Sequence, residues 1–280
     1  MSKRRYEIDE AKIRRFENEE RGKGSGAAYK PWLRIQDVPS LGRVSRVHGF
    51  KTAREHHLLS DLETGLFFLL EWSSVVTDIR EQFPLDREVT RMLAEQMGIA
   101  HPRDSRTQTD LVMTTDFLVD VRTEGQSVTL ARAVKPADDL AKKRTIEKLE
   151  LERRYWARES VPWHIVTNRD LPRQRITNIR WLHELHSLDH LASPHPSYWP
   201  DRCQRLVERL QRERHGTIGD FFGRLESSEG FAIGEPLTAF RHVSAHRIVT
   251  FDLDLAFTTK APVSFLHVDA TTGFNVRRSA

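Results

Sequence analysis

One stretch of 23 residues, 114–136 (TTDFLVDVRTEGQSVTLARAVKP), most constrains what this chain can fold into. Apolar residues alternate with polar ones over residues 115–121, and a second run follows at 128–134, as in paired strands. Between them, Glu124-Gly125 has the composition of a two-residue hairpin loop. That register sets Asp116 opposite Ala133 and brings Lys135 one diagonal step away, about 7–8 Å between Cα atoms. The sequence therefore predicts a β-hairpin with an acid and a lysine at its open end.

Two interpretations of this acid and lysine remain open. A pair on facing strands can be a solvated ion pair that contributes little to stability. Alternatively, an acid and a lysine followed by Pro136 and a long helical segment are suited to holding a metal ion and a phosphate. The rest of the chain has to distinguish them.

Charge is distributed unevenly along the chain. The net charge is +4, yet residues 1–60 contain 14 Lys and Arg against 8 Asp and Glu. An excess of cations at one end fits a polyanionic partner, nucleic acid before others, although ordinary solubility also explains it. We interpret residues 1–28 as a flexible basic arm, which starts as a charged helical segment and continues into the glycine-rich basic run at residues 21–26. The predicted DNA contacts are Arg21, Lys23, Arg43, Arg46, Lys51 and Arg54.

Composition excludes several other classes of protein. No apolar run approaches the roughly 18 residues of a membrane span, and the first ten residues lack the apolar centre of a secretory signal. The single cysteine, Cys203, leaves no partner for an internal disulfide and excludes a cysteine-cluster zinc site. We expect a cytoplasmic protein without a membrane partner.

A second acid lies in an unusual position. Residues 56–72 have the apolar spacing of a helix, and Glu63 falls within the apolar stripe. A carboxylate on a buried face indicates a metal, a partner or the edge of the core. Ser60-x-x-Glu63 also matches a capping box, which would make Glu63 a helix-start residue. The sequence supports the two roles of Glu63, metal ligand and helix cap, equally.

The order of elements indicates an α/β protein of two domains. A helix at 56–72, a strand at 75–84, the hairpin, a helix at 137–159 and a strand at 163–167 predict a mixed sheet with packed helices over residues 29–169. Helices at 176–188 and 201–214, with strands at 247–255 and 263–268, favour a winged helix over residues 170–280. His183, His186 and His190 share one predicted helix face, and we interpret them as surface residues rather than metal ligands.

At this point the motifs themselves resemble a known family. RGKGSGAAYKPWL, DVPSLGR, HHLLSDLE, LEW, DIREQFPL, TDFLVD, VKPA and EKLELERRYW occur in order between residues 21 and 167. They resemble the TnsA family, the endonuclease subunits of Tn7-like heteromeric transposases. Beyond residue 168 the similarity is one of architecture.

The resemblance implies a restriction-endonuclease-like N-terminal domain and Mg²⁺-dependent cleavage of DNA at the 5′ ends of a transposon. Mn²⁺ is expected to substitute, with one or two ions bound. The implied partners are transposon-end DNA, the transposase TnsB, which cuts the 3′ ends, and the ATPase TnsC, which contacts the C-terminal domain. By motif, the implied catalytic residues are Glu63, Asp116 and Lys135, and Glu63, Asp116 and the backbone carbonyl of Val134 would hold the metal.

One position departs from the family pattern. A Glu or Gln usually stands two residues before the lysine, where this chain has Ala133. Alanine has no side-chain atom that binds a metal, so one ligand oxygen is missing. We expect Glu63, the Val134 carbonyl and water to supply it, because Mg²⁺ commonly keeps several waters. We favour an active enzyme. The alternatives are a weakened adaptor that binds DNA and TnsC, and a restriction-type nuclease that acts without TnsB.

Overall fold

The computed structural model describes residues 6–39, 43–213 and 215–269. The chain divides into two compact units, residues 1–171 and 172–280. Both are built of helices and strands, which agrees with the predicted α/β class. Arg214, the last residue of one predicted helix, lies outside the described residues. Within the described residues, the structure contains no helix with the length and apolar character needed to cross a membrane.

A four-stranded mixed sheet forms the centre of the first unit. Its spatial order follows the sequence, with two antiparallel pairings and then a parallel one. The long segment between the last two strands allows them to run parallel. The strands are β3 (Val76–Pro84), β4 (Thr114–Thr123), β5 (Gln126–Val134) and β6 (Trp163–Val166).

The β4–β5 hairpin has the predicted register. Thr123 pairs with Gln126 and Phe117 with Arg132, so Asp116 falls opposite Ala133. Glu124 and Gly125 both have positive φ, 52° and 81°. Two left-handed residues in a two-residue loop match the twist of the flanking strands. This geometry usually selects Asn-Gly or Asp-Gly, and here Glu124 takes the first position. The turn therefore fixes which side chains meet at the far end of the hairpin.

Two helices, α3 (Arg87–Gln96) and α4 (Lys143–Arg158), pack against each other and against the sheet. Leu118 and Ala131, a facing pair on β4 and β5, belong to one buried cluster with Leu151, Tyr155 and Trp156 of α4. The predicted helix at 137–159 is interrupted, since Ala137–Ala141 forms a 3-10 turn before α4 begins. The core thus anchors the strands that carry Asp116 and Lys135.

The prediction of a helix from residue 56 is wrong. Residues 54–58 instead form β2 (Arg54–Leu58), which pairs with β1 (Ser45–Gly49) in a separate two-stranded ladder. The helix α2 (Asp61–Trp72) begins later because the Ser60 side chain caps it, accepting from the Glu63 N–H. The late start places Glu63 in the first turn of α2.

The interpretation of residues 1–28 as a flexible arm also needs correction for residues 6–28. The helix α1 (Glu10–Asn18) buries Ile13 and Phe16 in a small cluster with Trp32. The guanidinium of Arg21 lies 3.6 Å from the centre of the Phe16 ring. These residues are therefore part of the packed first unit.

The second unit contains mainly helices. Among its described residues, the two strands are only two residues each and form one antiparallel ladder, much shorter than the predicted strands at 247–255 and 263–268. The winged helix therefore stays a prediction. The elements are α5 (Arg173–His183), α6 (Tyr198–Arg212), α7 (Ile218–Ser228), α8 (Glu235–Ala245), β7 (Val249–Thr250) and β8 (His267–Val268).

Candidate functional site

The acid and the lysine of the hairpin form a direct ion pair. Lys135 Nζ lies 2.9 Å from Asp116 Oδ2, and the Val134 N–H donates to the same oxygen at 2.6 Å. The side chain of Asp116 is 12 % exposed and that of Lys135 35 % exposed, so the pair lies at the edge of the core and is not freely solvated. Oδ2 of Asp116 is occupied, while Oδ1 faces another group.

That group is Gln82 of β3, which sequence reasoning missed. Its amide Nε2 lies 3.3 Å from Glu63 Oε2 and 3.4 Å from Asp116 Oδ1, and its Oε1 accepts from the Thr114 hydroxyl at 3.0 Å. Gln82 therefore joins the two predicted catalytic acids. The available signal was the register, because β3 pairs Glu81 with Phe117 and Phe83 with Thr115, which sets Gln82 opposite Asp116.

Glu63 takes part in both of the arrangements that the sequence left open. Its backbone N–H donates to Ser60 Oγ at 3.1 Å, as in a helix cap. Its carboxylate accepts from the Ser60 hydroxyl (2.9 Å) and from the Leu59 N–H (3.0 Å), while Oε2 faces Gln82. The cap therefore orients the carboxylate toward Asp116, and the two interpretations do not exclude each other.

Burial and charge shift the pKa values at this site. Burial, and next the charge of Asp116, raise the pKa of Glu63 to about 7. For Lys135, burial lowers the pKa, but the charge of Asp116 and the hydrogen bond to it outweigh burial and raise the pKa to about 12. Lys135 is therefore an ammonium group at neutral pH, and Glu63 readily holds or releases a proton.

A further buried acid contacts the strand that carries Asp116. Glu152 of α4 accepts from the Thr115 hydroxyl at 2.8 Å and from Trp163 Nε1 at 3.0 Å. Burial, followed by the charge of Asp116, raises the pKa of Glu152 to about 7. Thr115 is adjacent to Asp116 on β4, so this contact helps to fix the strand that carries Asp116.

The residues present fit a hard divalent cation only in part. In the described ranges, no group of three or more His, Cys, Asp and Glu side chains is arranged to hold an ion. Glu63 and Asp116 do supply two carboxylates connected through one amide, and oxygen is the donor that Mg²⁺ prefers. Ala133 is fully buried and offers no donor. Val134, predicted to use its carbonyl, contacts Asp116 through its N–H.

The predicted DNA contacts fall into two groups. Arg21 and Arg54 are buried in internal ion pairs, Arg21 with Asp37 (2.6 Å) and Arg54 with Glu81 (2.6 Å). Because their guanidinium groups are engaged inside the unit, their burial argues against the predicted contact of either residue with DNA. The exposed members of the set are Lys23, Arg43 and Arg46. Lys51 is half-buried.

The predicted histidine triple does not occur on one helix face. Helix α5 ends at His183, so His186 and His190 lie beyond it. His186 instead contacts His246, at the end of helix α8, in a tilted arrangement with 4.3 Å between ring centres, and His246 contacts His242 at 4.6 Å.

Comparison with known proteins gives the same family for both parts of the chain. Residues 73–168 match the model of the TnsA-like endonuclease N terminal domain, and residues 170–253 match that of the TnsA endonuclease C terminal domain. The first match includes Asp116 and Lys135 and begins after Glu63. The chain is also 39 % identical over 257 residues to the Transposon Tn7 transposition protein TnsA of Escherichia coli, covering 92 % of this chain and 91 % of that protein. The chain therefore belongs to the TnsA family of transposition endonucleases.

Proposed function

We propose that this chain hydrolyses phosphodiester bonds in DNA at the 5′ ends of a transposon, using Mg²⁺ or Mn²⁺ and acting with partners of the TnsB and TnsC kind. One observation carries the proposal. Two buried acids from separate elements, Glu63 and Asp116, both contact the Gln82 amide, and Lys135 pairs with Asp116. Membership of the TnsA family supports transposon ends as the DNA.

In this proposal Asp116 and Glu63 hold the ion. The ion, when bound, offsets the negative charge that grows on the phosphate as the bond breaks. Asp116 is fixed by Lys135 and the Val134 N–H, and Glu63 is fixed by Ser60 and Leu59. Two carboxylates held in place before the ion arrives reduce the reorganisation that binding requires.

Lys135 contributes a positive charge and a hydrogen-bond donor. Since its pKa is raised to about 12, the ammonium group does not act as a general base at neutral pH. Its side chain is 35 % exposed, which leaves it accessible to a phosphate or to the attacking water. We therefore assign Lys135 to orienting that water and to stabilising charge on the phosphate.

The test is strand-specific nicking of labelled transposon-end DNA in the presence of TnsB and TnsC proteins, with Mg²⁺, Mn²⁺ or EDTA. Lys135→Ala and Asp116→Asn are expected to abolish 5′-strand nicking and to leave TnsC binding intact. The chain offers a matched control in the exposed pair Lys142–Asp139, at 2.6 Å. Lys142→Ala and Asp139→Asn should nick at the normal rate. Normal nicking by the Lys135 or Asp116 variant would contradict the assignment.

A second candidate function rests on Ala133. Its buried methyl group lies opposite Asp116, where the family pattern has a Glu or Gln. If the lost oxygen is not replaced, the chain would be an adaptor that binds DNA and TnsC without cutting. That function predicts no nicking in either metal with all partners present, while DNA and TnsC binding persist.

A further inference from the structure

Gln82 has a backbone that a strand residue does not normally adopt. Its φ is +48°, in the left-handed region, although it is not glycine and lies within β3. Its carbonyl accepts from the Trp32 N–H at 3.2 Å, a loop contact outside the sheet. A residue kept in a sparsely populated conformation at a buried position is a reason to look for function.

The side chain of Gln82 occupies the space between the two acids. It is 3 % exposed, and its amide nitrogen lies 3.3 and 3.4 Å from Glu63 and Asp116. Carboxylates that carry charge only accept hydrogen bonds, so the amide presents its N–H groups to them. A cation that bridges these two carboxylates needs the same place. The N–H groups and the cation cannot both occupy it.

The contact on the other side of the amide allows a second orientation. Gln82 Oε1 accepts from the Thr114 hydroxyl at 3.0 Å. A hydroxyl group both donates and accepts, so Thr114 can equally accept from the amide nitrogen. Rotation of the amide by about 180° about its terminal torsion, which is two-fold and broad, exchanges the donor and the acceptor without loss of the Thr114 contact.

We infer that Gln82 is a ligand-supplying residue of the metal site, whose amide bridges Glu63 and Asp116 without metal and turns its Oε1 to the divalent cation when one binds. The oxygen of Gln82 then replaces the one that Ala133 cannot provide. The inference rests on the proposed function, because it concerns the same two carboxylates. It adds a side-chain oxygen donor to the two carboxylates, on a strand that sequence reasoning did not connect with the site.

Binding of Mn²⁺ alone, measured from the electron paramagnetic resonance signal of the free ion in a titration without DNA, tests this inference. Gln82→Leu, which removes the oxygen, is expected to weaken Mn²⁺ binding about tenfold or more. Gln82→Glu keeps an oxygen at the same reach and should bind at least as tightly as the wild type. Gln108→Leu is the matched control, because Gln108 also has a positive φ (57°) but is exposed. Thermal unfolding in EDTA checks that each variant folds.

Several results would overturn the inference while the proposed function stands. If Gln82→Leu binds Mn²⁺ as tightly as or more tightly than the wild type, the amide only competes with the ion. If both Gln82 variants bind weakly although folded, the amide acts as a hydrogen-bond donor and not as a ligand. Absence of Mn²⁺ binding to the wild type at millimolar concentration, with metal-dependent nicking intact, also contradicts it. By contrast, unchanged Mn²⁺ binding and nicking in Asp116→Asn would contradict the proposed function itself.

Discussion

Two buried acids in the first unit, Glu81 and Glu63, have opposite surroundings. Glu81 is fully buried and accepts from both terminal nitrogens of Arg54, at 2.8 and 2.6 Å, and from the His57 N–H at 3.0 Å. His56 Nδ1 lies 2.7 Å from Glu81 Oε2. Burial alone would raise the pKa of Glu81, but the hydrogen bonds from Arg54 and His56 outweigh it and lower the pKa to about 2.

Within the described part of the chain, the groups that donate hydrogen bonds to the Glu63 carboxylate are all neutral, and its pKa is raised to about 7. The cation nearest to the acid pair, Lys135, contacts Asp116. The difference in their hydrogen-bond donors distinguishes Glu81, a carboxylate that holds elements together, from Glu63, a carboxylate that is ready to accept a cation. A buried acid without a cationic partner costs stability, and such a cost concentrates at functional sites. Glu81 joins the β1–β2 ladder to β3, whereas Glu63 is available for chemistry.

The largest expected effect comes from exchanging each acid for its amide. Glu81→Gln leaves the Arg54 guanidinium buried without a carboxylate, so we expect a loss of about 3–5 kcal/mol in the free energy of unfolding. Glu63→Gln, at pH 8 in EDTA, removes a like charge beside Asp116 and should leave that free energy unchanged or raised. Urea unfolding of both variants measures the difference. Equal losses in the two variants would contradict the contrast between the acids.

The dependence of stability on pH should also separate the two kinds of acid. Glu63 and Glu152 have folded pKa values of about 7, above their ordinary 4.5. Their contribution is fully present below pH 4.5 and is lost as the pH rises through 7, by up to about 3 kcal/mol for each carboxyl. Glu81, with a pKa of about 2, acts in the other direction and loses its contribution as the pH falls from 4.5 through 2.

Urea unfolding in EDTA between pH 4.5 and 8 checks this second prediction. Glu63→Gln and Glu152→Gln should each flatten the decline toward pH 8. Glu150→Gln is the control on the same helix, because its pKa is lowered to about 2 by hydrogen bonds from Arg153 and then Arg154. It should leave the slope above pH 4.5 unchanged. A dependence on pH between 4.5 and 8 that is the same in the Glu63 and Glu152 variants as in the wild type would be the contrary result.

A smaller effect is expected from the cap that orients Glu63. Ser60→Ala removes both the acceptor for the Glu63 N–H and the donor to its carboxylate. The expected cost is about 1 kcal/mol of unfolding free energy, as for other helix caps. Nicking should fall further than stability alone explains, because the carboxylate loses a partner that directs it to Asp116. Ser60→Thr, which retains the hydroxyl, should restore both measurements.

The smallest effect is expected when an exposed arginine is substituted, in comparison with a buried one. Arg46 pairs with Glu55 at 3.4 Å, and both side chains are about half exposed. Arg46→Gln should change the unfolding free energy by no more than about 0.5 kcal/mol. If Arg46 contacts a phosphate, the slope of DNA affinity against salt should decrease by about 1. Arg54→Gln should instead destabilise the fold, and any loss of DNA binding should follow the loss of folded protein.

The sequence was most informative where the physical signal is local. Alternation and the Glu124-Gly125 turn predicted the register of the hairpin, since positive φ at both turn positions fixes it, although both strands are longer than predicted. It was misleading at residues 56–58, because His56 and Leu58 fit the apolar spacing of the following helix although they pair in β2. Strand β2 is held by contacts of Arg54 and His56 with Glu81, which lies more than 20 residues later in the chain. A local sequence pattern does not indicate such a contact.

For the site, spacing and motif located Glu63, Asp116 and Lys135, and the structure brings them together. Gln82 and the burial of Arg21 could not be deduced in the same way. A glutamine in a polar strand carries no sign that it bridges two acids, and a basic residue in a glycine-rich run resembles a surface residue. Such properties depend on tertiary contacts, as in the pairing of Arg21 with Asp37.

The β4–β5 hairpin places its loop, where the sequence can vary, at the end opposite to Asp116, which the site requires. Seven steps of strand lie between Asp116 and Thr123, about 23 Å at 3.3 Å per residue. The loop at Glu124-Gly125 is therefore remote from the acids, and a fluorophore or an affinity tag inserted there would leave the chemistry undisturbed. The same hairpin offers a handle for following this chain as it joins a larger assembly on DNA.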